Sequence, residues 1–130
     1  MKDVHDFLKK VGTYYIATID GDSPRVRPFG TIHLFEEKLW IQSGKKKDFA
    51  KQVAANPKVE LSAFDGEQWL RMSATLVEDN RQEAQESMLN EYQSLKRMYT
   101  AGDGNCVVYA LKDATATFYS FTAEPRVVKF

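Results

Sequence analysis

The spacing of apolar residues predicts that the chain opens with a short amphipathic helix. Four apolar positions recur three or four residues apart before Gly12, which lies where such a helix must end. These positions are Val4, Phe7, Leu8 and Val11. A stripe of this kind buries one face of the helix against a core and leaves the other face in water.

Most of the remaining chain has the composition of β-strands. Segments rich in β-branched and aromatic residues alternate with turn sequences such as Asp20–Pro24 and Asp65–Gly66. The predicted strands are residues 13–19, 25–35, 39–43, 58–64, 68–78, 106–112 and 115–121. The Asp-Gly turns favour two hairpins, one between the first two strands and one between the fourth and fifth. The last two strands are predicted to pair around Asp113–Ala114, with a short polar tail after them.

Two more helices interrupt the strands. Residues 45–55 place Phe49 and Val53 on one face and stop at Asn56–Pro57, because a residue before proline disfavours helical backbone. Residues 80–99 have a longer amphipathic pattern. Its apolar positions are Met88, Leu89, Tyr92, Leu95 and Tyr99. Strands joined mostly by hairpins, with a few helices between them, indicate the mixed α+β class and an antiparallel barrel or sandwich.

The first turn of the second predicted helix carries an unfavourable charge. Lys45, Lys46 and Lys47 stand together there, although a helix N-terminus exposes unpaired N–H groups and the positive end of the helix dipole. Each cation in this place costs roughly 0.3–1 kcal/mol. The charge pattern alone leaves open what offsets this repulsion, and the ordinary interpretation of such a run is that the lysines extend into solvent.

Composition limits the classes of function. The chain has 130 residues and 43% hydrophobic content, which suits one domain spanning residues 1–130. Its 18 Lys and Arg residues balance 18 Asp and Glu residues, which removes the usual electrostatic basis for binding nucleic acid or an anionic membrane. Cys106 is the only cysteine, and no apolar run reaches the length of a signal peptide or a membrane span. We therefore expect a cytoplasmic protein with no nucleic-acid or membrane partner.

No pattern of residues identifies a catalytic group or a metal site. His5 and His33 each lack Cys or acidic residues at ligand spacing, so we predict no bound metal. The Gly-Lys pair at residues 44–45 lacks the earlier glycine and the hydroxyl residue of a nucleoside-triphosphate loop. Ser43 and Ser73 have no His and Asp partners in a recognisable order. The catalytic residues stay unknown at this point.

Three segments, taken in order, resemble one known family. "SPRVRPF" (23–29), "LWIQSGKKKDFAKQVAANPKVELSAF" (39–64) and "WLRMSATLVED" (69–79) are similar to the FMN-binding split-barrel proteins of the pyridoxamine 5′-phosphate oxidase-like family, in particular to its short members that resemble general stress proteins. The resemblance runs from about Tyr14 to Phe121. It implies a six- or seven-stranded antiparallel split β-barrel, Greek-key-like, with peripheral helices and with FMN as the cofactor.

The resemblance also assigns residues to the two ends of FMN. It puts the phosphate near Lys46 and Lys47, with Arg25 approaching from the second strand. A phosphate in this place would offset both the ammonium charges and the unpaired N–H groups of the helix start. It lays the isoalloxazine ring along the Val26–Arg27–Pro28 backbone, whose main-chain groups can pair with the polar edge of the ring. Residues two apart on a strand share a face, so Arg27 lies on the same side as Arg25 and nearer the ring.

Further residues are implied around the ribityl chain and the face of the ring. Gln42 and Ser43 are expected to form a loop that closes on the ribityl side. The family's usual arrangement is a homodimer with two sites at the subunit interface, where Trp69 or the Tyr119–Phe121 segment lines the ring from the other subunit. Trp69 and Phe121 are therefore counted among the cofactor-binding residues.

The function that the resemblance implies is hydride or electron transfer through bound FMN. A small-molecule substrate, or an electron donor such as NAD(P)H, would react with the flavin, and the substrate itself is left open. A second interpretation is a non-catalytic module that stores or senses a flavin. A third keeps the barrel and changes the ligand to haem or a deazaflavin, and haem would require an axial ligand such as His33.

Overall fold

The fold consists of eight strands and three α-helices. The computed structural model describes residues 1–130. Its helices are α1 (Lys2–Val11), α2 (Asp48–Ala55) and α3 (Gln82–Glu91), and a 3₁₀ helix covers Gln93–Arg97. Its strands are β1 (Tyr14–Asp20), β2 (Ser23–Phe29), β3 (His33–Phe35), β4 (Lys38–Gly44), β5 (Lys58–Phe64), β6 (Gln68–Asp79), β7 (Cys106–Ser120) and β8 (Arg126–Lys129). None of the helices is long and apolar enough to cross a membrane.

All the strands belong to one antiparallel sheet. Its order is β2-β1-β5-β6-β7-β4-β3, and β8 pairs with the second half of β7. The terminal strands β2 and β3 do not pair with each other, so hydrogen bonds do not close the barrel. The predicted α+β class and the split-barrel architecture are confirmed, with eight strands in place of the expected six or seven.

Alternation along β1, β5 and β6 builds much of the core, whereas β4 and the first part of β7 are buried on both faces. On β5, for example, Val59, Leu61 and Ala63 are buried while the residues between them face water. The main apolar core contains 23 buried residues, and the predicted N-terminal helix contributes to it through Val4, Phe7 and Leu8. Both predicted hairpins are confirmed, because β1 pairs with β2 along its whole length and all of β5 pairs with the first part of β6.

The expected strand over 25–35 is instead two strands at opposite ends of the sheet. The chain leaves β2 after Phe29 and enters β3 at His33. Two tyrosine hydroxyls form hydrogen bonds with the backbone of the segment between β2 and β3. The Tyr14 hydroxyl donates to the Thr31 carbonyl over 2.6 Å, and the Tyr92 hydroxyl bonds both the N–H and the carbonyl of Ile32 over 3.0 and 2.9 Å. Buried backbone groups need such partners, so this crossing is fixed in place.

The expected strand pair around Asp113–Ala114 is also wrong, because β7 is one continuous strand. The register with β6 shifts at this point, where Ser73 pairs with Thr115 and Thr75 pairs with Lys112. Two β7 residues therefore face one β6 residue, which is a β-bulge, and Asp113 takes a positive φ of 52° within it. The predicted polar tail is wrong as well, because its residues form β8 along β7.

The helix expected over 80–99 is shorter than its apolar pattern. Helix α3 ends at Glu91, and the 3₁₀ helix follows after Tyr92, whose backbone angles (φ −118°, ψ 74°) are not helical. Met88 and Leu89 are buried from α3, and Tyr99 is buried beyond the 3₁₀ helix. The apolar spacing therefore identified the buried face but not the change of helix type.

Tyr14→Phe should lower the free energy of unfolding by about 1–2 kcal/mol, because a buried carbonyl loses its donor. The Tyr14 side chain is fully buried, and its hydroxyl is the donor to Thr31. Urea unfolding followed by circular dichroism measures the change. Tyr15→Phe is the matched control, because Tyr15 points to the other face and is 55% exposed. Equal losses in the two variants would contradict the role given to the buried hydrogen bond.

Candidate functional site

The lysine segment precedes helix α2 and is not part of it. The helix begins at Asp48, and Lys47 is the N-cap with extended backbone angles and no side-chain capping bond. Lys45 and Lys46 lie in the turn before it. The prediction of a helix from residue 45 with three lysines in its first turn is therefore wrong. The first turn carries the acidic Asp48, as the helix dipole favours.

The start of α2 still offers hydrogen-bond donors. The first helical hydrogen bond runs from the Lys51 N–H to the Lys47 carbonyl over 3.3 Å. The N–H groups of residues 48–50 therefore have no acceptor within the helix. Two of these residues, Asp48 and Phe49, line a cavity beside β2.

This cavity collects five of the ten residues predicted to bind the cofactor. It has a volume of about 560 Å³ and lies between β2 and the start of α2. The predicted residues in its wall are Arg25, Val26, Arg27, Pro28 and Lys47. Its other lining residues are Asp20, Phe29, Asp48, Phe49 and Gln52. We call it the cationic cavity, because three cationic side chains face two carboxylates and leave one positive charge in excess.

Arg27 is held inside this cavity by both β1 and α2. Its Nη1 donates to the Thr18 hydroxyl over 2.7 Å, and its Nη2 donates to Gln52 Oε1 over 2.7 Å. The Thr18 hydroxyl also donates to Gln52 Oε1 over 2.5 Å, which closes the network. The guanidinium lies 5.2 Å from the centre of the Phe49 ring, within cation–π range.

The two arginines of β2 differ in their surroundings. Burial lowers the pKa of the Arg27 guanidinium, and the Asp48 carboxylate partly opposes that shift. Arg25 is more exposed and forms an ion pair with Asp20 over 3.1 Å. An exposed pair of this kind contributes little to stability, so Arg25 is free to exchange Asp20 for an anionic ligand.

A second cavity adjoins the first. It has a volume of about 320 Å³ and shares Pro28, Phe29 and Lys47 with the cationic cavity. Gln42 and Ser43 line it, but they lie in strand β4 and not in the expected loop, because they pair with Val108 and Val107 of β7. We call this space the polar cavity. Both side chains are buried, and the Gln42 amide donates to the Ser43 carbonyl over 2.8 Å.

The remaining predicted residues lie outside both cavities. Lys46 lines neither of them. Trp69 stacks on Tyr119 at 5.5 Å between ring centres, and Phe121 lies 5.1 Å from Trp69. Strand β6 is three strands from β2, a separation of about 14 Å at normal strand spacing. Within one chain, Trp69 and Phe121 therefore do not reach the cationic cavity.

The sequence reasoning missed three residues that hold the cavities. Thr18 and Gln52 bind Arg27, and Tyr92 lines the polar cavity while its hydroxyl fixes Ile32. The sequence pattern does indicate two of them, Thr18 and Gln52. Thr18 continues the buried alternation of Tyr14 and Ile16, and Gln52 is one helical turn after Phe49.

Comparison with known proteins gives one family match over most of the chain. Residues 1–104 match the family model described as pyridoxamine 5′-phosphate oxidase. No curated protein sequence matches this chain.

Solved structures of the same fold cover nearly the whole chain. A NimC/NimA family protein from Clostridium acetobutylicum is 40% identical with a TM-score of 0.96, and the match covers 100% of this chain and 92% of that one. General stress protein 26 from Bacillus anthracis is 14% identical with a TM-score of 0.72 and covers 98% of each chain. A pyridoxamine 5′-phosphate oxidase-related, FMN-binding protein from Nostoc punctiforme is 13% identical with a TM-score of 0.64, covering 97% of this chain and 90% of that one.

Gln52→Leu should lower the free energy of unfolding by about 1–3 kcal/mol, because a half-buried guanidinium loses its acceptor on α2. Urea unfolding measures the change. Lys51→Leu is the matched control, since it introduces the same side chain at the neighbouring, exposed helix position. If Gln52→Leu is no less stable than Lys51→Leu, the network does not tie α2 to the sheet.

Proposed function

Because the chain belongs to the pyridoxamine 5′-phosphate oxidase family, we propose that it binds FMN and serves as an FMN-dependent oxidoreductase. The observation that carries the proposal is the meeting of Arg25, Arg27 and Lys47 in one cavity at the start of α2. Cationic side chains and helix N–H groups together suit a phosphate. The volume of about 560 Å³ lies in the range of cofactor pockets.

The phosphate of FMN would lie between Lys47 and Arg25. Lys47 supplies a flexible ammonium group beside the free N–H groups of α2. Arg25 supplies a planar guanidinium that can bind two phosphate oxygens at once. Lys46 stays in the proposal as a more distant cation, because it contributes to the local positive field without lining either cavity.

The isoalloxazine ring would lie along β2. This strand ends the sheet and pairs only with β1, so one row of its backbone groups has no partner strand. Such groups can bond the polar edge of a flavin at Val26 and Pro28. Gln42 and Ser43 in the adjoining polar cavity would contact the ribityl chain.

Bound FMN would supply hydride and electron transfer, and the protein would bind it, orient it and set its electrostatic surroundings. Arg27 is held close to the predicted ring position, where a cation stabilises the negative charge that reduction adds. We propose a small-molecule substrate and a reduced nicotinamide as electron donor. The cytoplasmic location expected from the sequence belongs to the same proposal.

Anaerobic mixing with NADH or NADPH separates an enzyme from a flavin-storing module. Bleaching of the flavin absorbance supports the oxidoreductase. Its persistence with both nicotinamides would favour the storage or sensing function. The visible spectrum of the purified protein distinguishes FMN from haem and from a deazaflavin. For haem, His33 would first have to give up its 2.8 Å contact with the Ser87 hydroxyl.

The proposed protein is a homodimer with its sites at the interface. Tyr15, Phe64, Trp69, Tyr119 and Phe121 lie together on the outer side of the sheet, and we call this group the aromatic face. Exposed aromatic groups of this size mark association surfaces. Val26 and Pro28 lie on the same side, across β1. A two-fold axis through this sheet face would bring the partner subunit's Trp69 toward the ring position on β2.

Lys47→Ala should weaken FMN binding by roughly 1.5–3 kcal/mol, the scale of a hydrogen bond to a charged group. Isothermal titration with FMN and with riboflavin measures the effect. Riboflavin has no phosphate, so it should bind the wild type and the variant equally. Lys58→Ala is the matched control, because Lys58 is an exposed lysine beyond the other end of α2. An equal loss for FMN and riboflavin would rule out the phosphate assignment.

Phe64→Lys should convert the dimer into a monomer at micromolar concentration, because it places a charge within the aromatic face. Phe64 is 54% exposed, so the fold of one chain does not depend on its burial. Light scattering measures the mass, and circular dichroism checks the fold. Met98→Lys is the control, since Met98 is exposed outside the aromatic face. A monomeric wild type that binds FMN tightly would refute the interfacial site.

A further inference from the structure

One residue holds the backbone of the lysine turn. The Lys45 N–H donates to the Asn105 carbonyl over 2.7 Å, and the Lys46 N–H donates to Asn105 Oδ1 over 3.2 Å. The Lys47 N–H completes the turn by donating to the Gly44 carbonyl over 3.1 Å. The turn between β4 and α2 therefore takes its shape from the segment that precedes β7.

Asn105 is in turn fixed by its neighbours. Asp103 Oδ1 accepts the N–H groups of Asn105 and Cys106, each over 2.7 Å, and its Oδ2 accepts the Thr100 N–H over 2.9 Å. Cys106 pairs with Gly44 at the end of the β4–β7 ladder. Asn105 is therefore held through its own N–H by Asp103 and through the pairing of the next residue, Cys106, with Gly44.

Tyr99 and Asn105 pack closely against the start of the lysine turn. A Cβ atom at Gly44 would lie 2.8 Å from the Tyr99 hydroxyl and 3.4 Å from Asn105 Oδ1. Any side chain at this position would require Tyr99 to move. The turn is confined between the sheet and the chain that enters β7.

The side chains of Lys46 and Lys47 lie in different surroundings. Hydrogen bonds from the backbone N–H groups of Thr100, Cys106 and Asn105 lower the pKa of the Asp103 carboxyl, and the charge of Lys46 lowers it further. Lys46 lines neither cavity, while Lys47 lines both. Lys47 directly follows Lys45 and Lys46, whose backbone N–H groups donate to Asn105.

We infer that Asn105 is a positioning residue, which directs Lys47 toward the phosphate by fixing the backbone of Lys45 and Lys46. This inference rests on the proposed function. Asn105 lines neither cavity, so it acts through Lys47 and not by touching the ligand. Loss of Asn105 should therefore weaken the contacts to the phosphate of FMN and leave the contacts to the isoalloxazine ring unchanged.

Asn105→Ala tests the inference by titration with FMN and riboflavin. Loss of the Lys46 acceptor should weaken FMN binding about fivefold, which corresponds to about 1 kcal/mol, and should leave riboflavin binding unchanged. Asn56→Ala is the matched control, because Asn56 Oδ1 accepts the Lys58 N–H over 3.1 Å at the other end of α2. Asn56→Ala should change the affinity for neither ligand.

Asn105→Asp keeps an oxygen acceptor at the same place and should restore most of the FMN affinity. In a Lys47→Ala background, Asn105→Ala should have no further effect on FMN binding, because it acts through Lys47. Asn105→Ser gives the same comparison if the alanine variant does not fold. An effect of Asn105→Ala that is absent, or equal for FMN and riboflavin, would overturn the inference while Lys47→Ala still tests the phosphate site. If Lys47→Ala leaves FMN affinity unchanged, the proposed phosphate site is wrong, whatever the effect of Asn105→Ala.

Discussion

The candidate site depends on the hydrogen bonds that satisfy one half-buried cation, Arg27. A guanidinium withdrawn from water is costly unless acceptors surround it, and here the acceptors come from β1 and from α2. Helix α2 is therefore tied to the edge of the sheet at a fixed distance. As a result Lys47, just before α2, and Arg25, on β2, line the same cavity.

Local chemistry explains which parts of the fold the sequence could predict. The β1–β2 and β5–β6 hairpins follow from Asp-Gly turns flanked by alternating strands, all within short stretches of chain. Asp113–Ala114 reads locally like another turn, because turns and bulges both favour residues that tolerate positive φ. Only the pairing of β6 with both halves of β7 decides between them, and that pairing is not visible in the local pattern.

The same distinction applies to the site. Arg25 and Arg27 share a side because of strand alternation, and Lys47 joins them because α2 packs across β1. Lys46 and Lys47 are neighbours in the sequence, but only Lys47 lines the cavities, and the lysine run itself does not indicate which of the two does. Trp69 and Phe121 could enter the site only from a second subunit, and a single sequence does not specify how two copies meet.

The free edge of β2 also bears on the solubility of the protein. Proline in a sheet belongs on an edge strand with its nitrogen facing outward, and Pro24, Val26 and Pro28 direct their backbone to the same side. Of these three residues only Val26 has an N–H, so this edge presents three carbonyl acceptors and one donor. Another β-strand needs donors and acceptors in alternation and cannot dock on it. The edge therefore resists strand-to-strand aggregation while it stays open to small molecules.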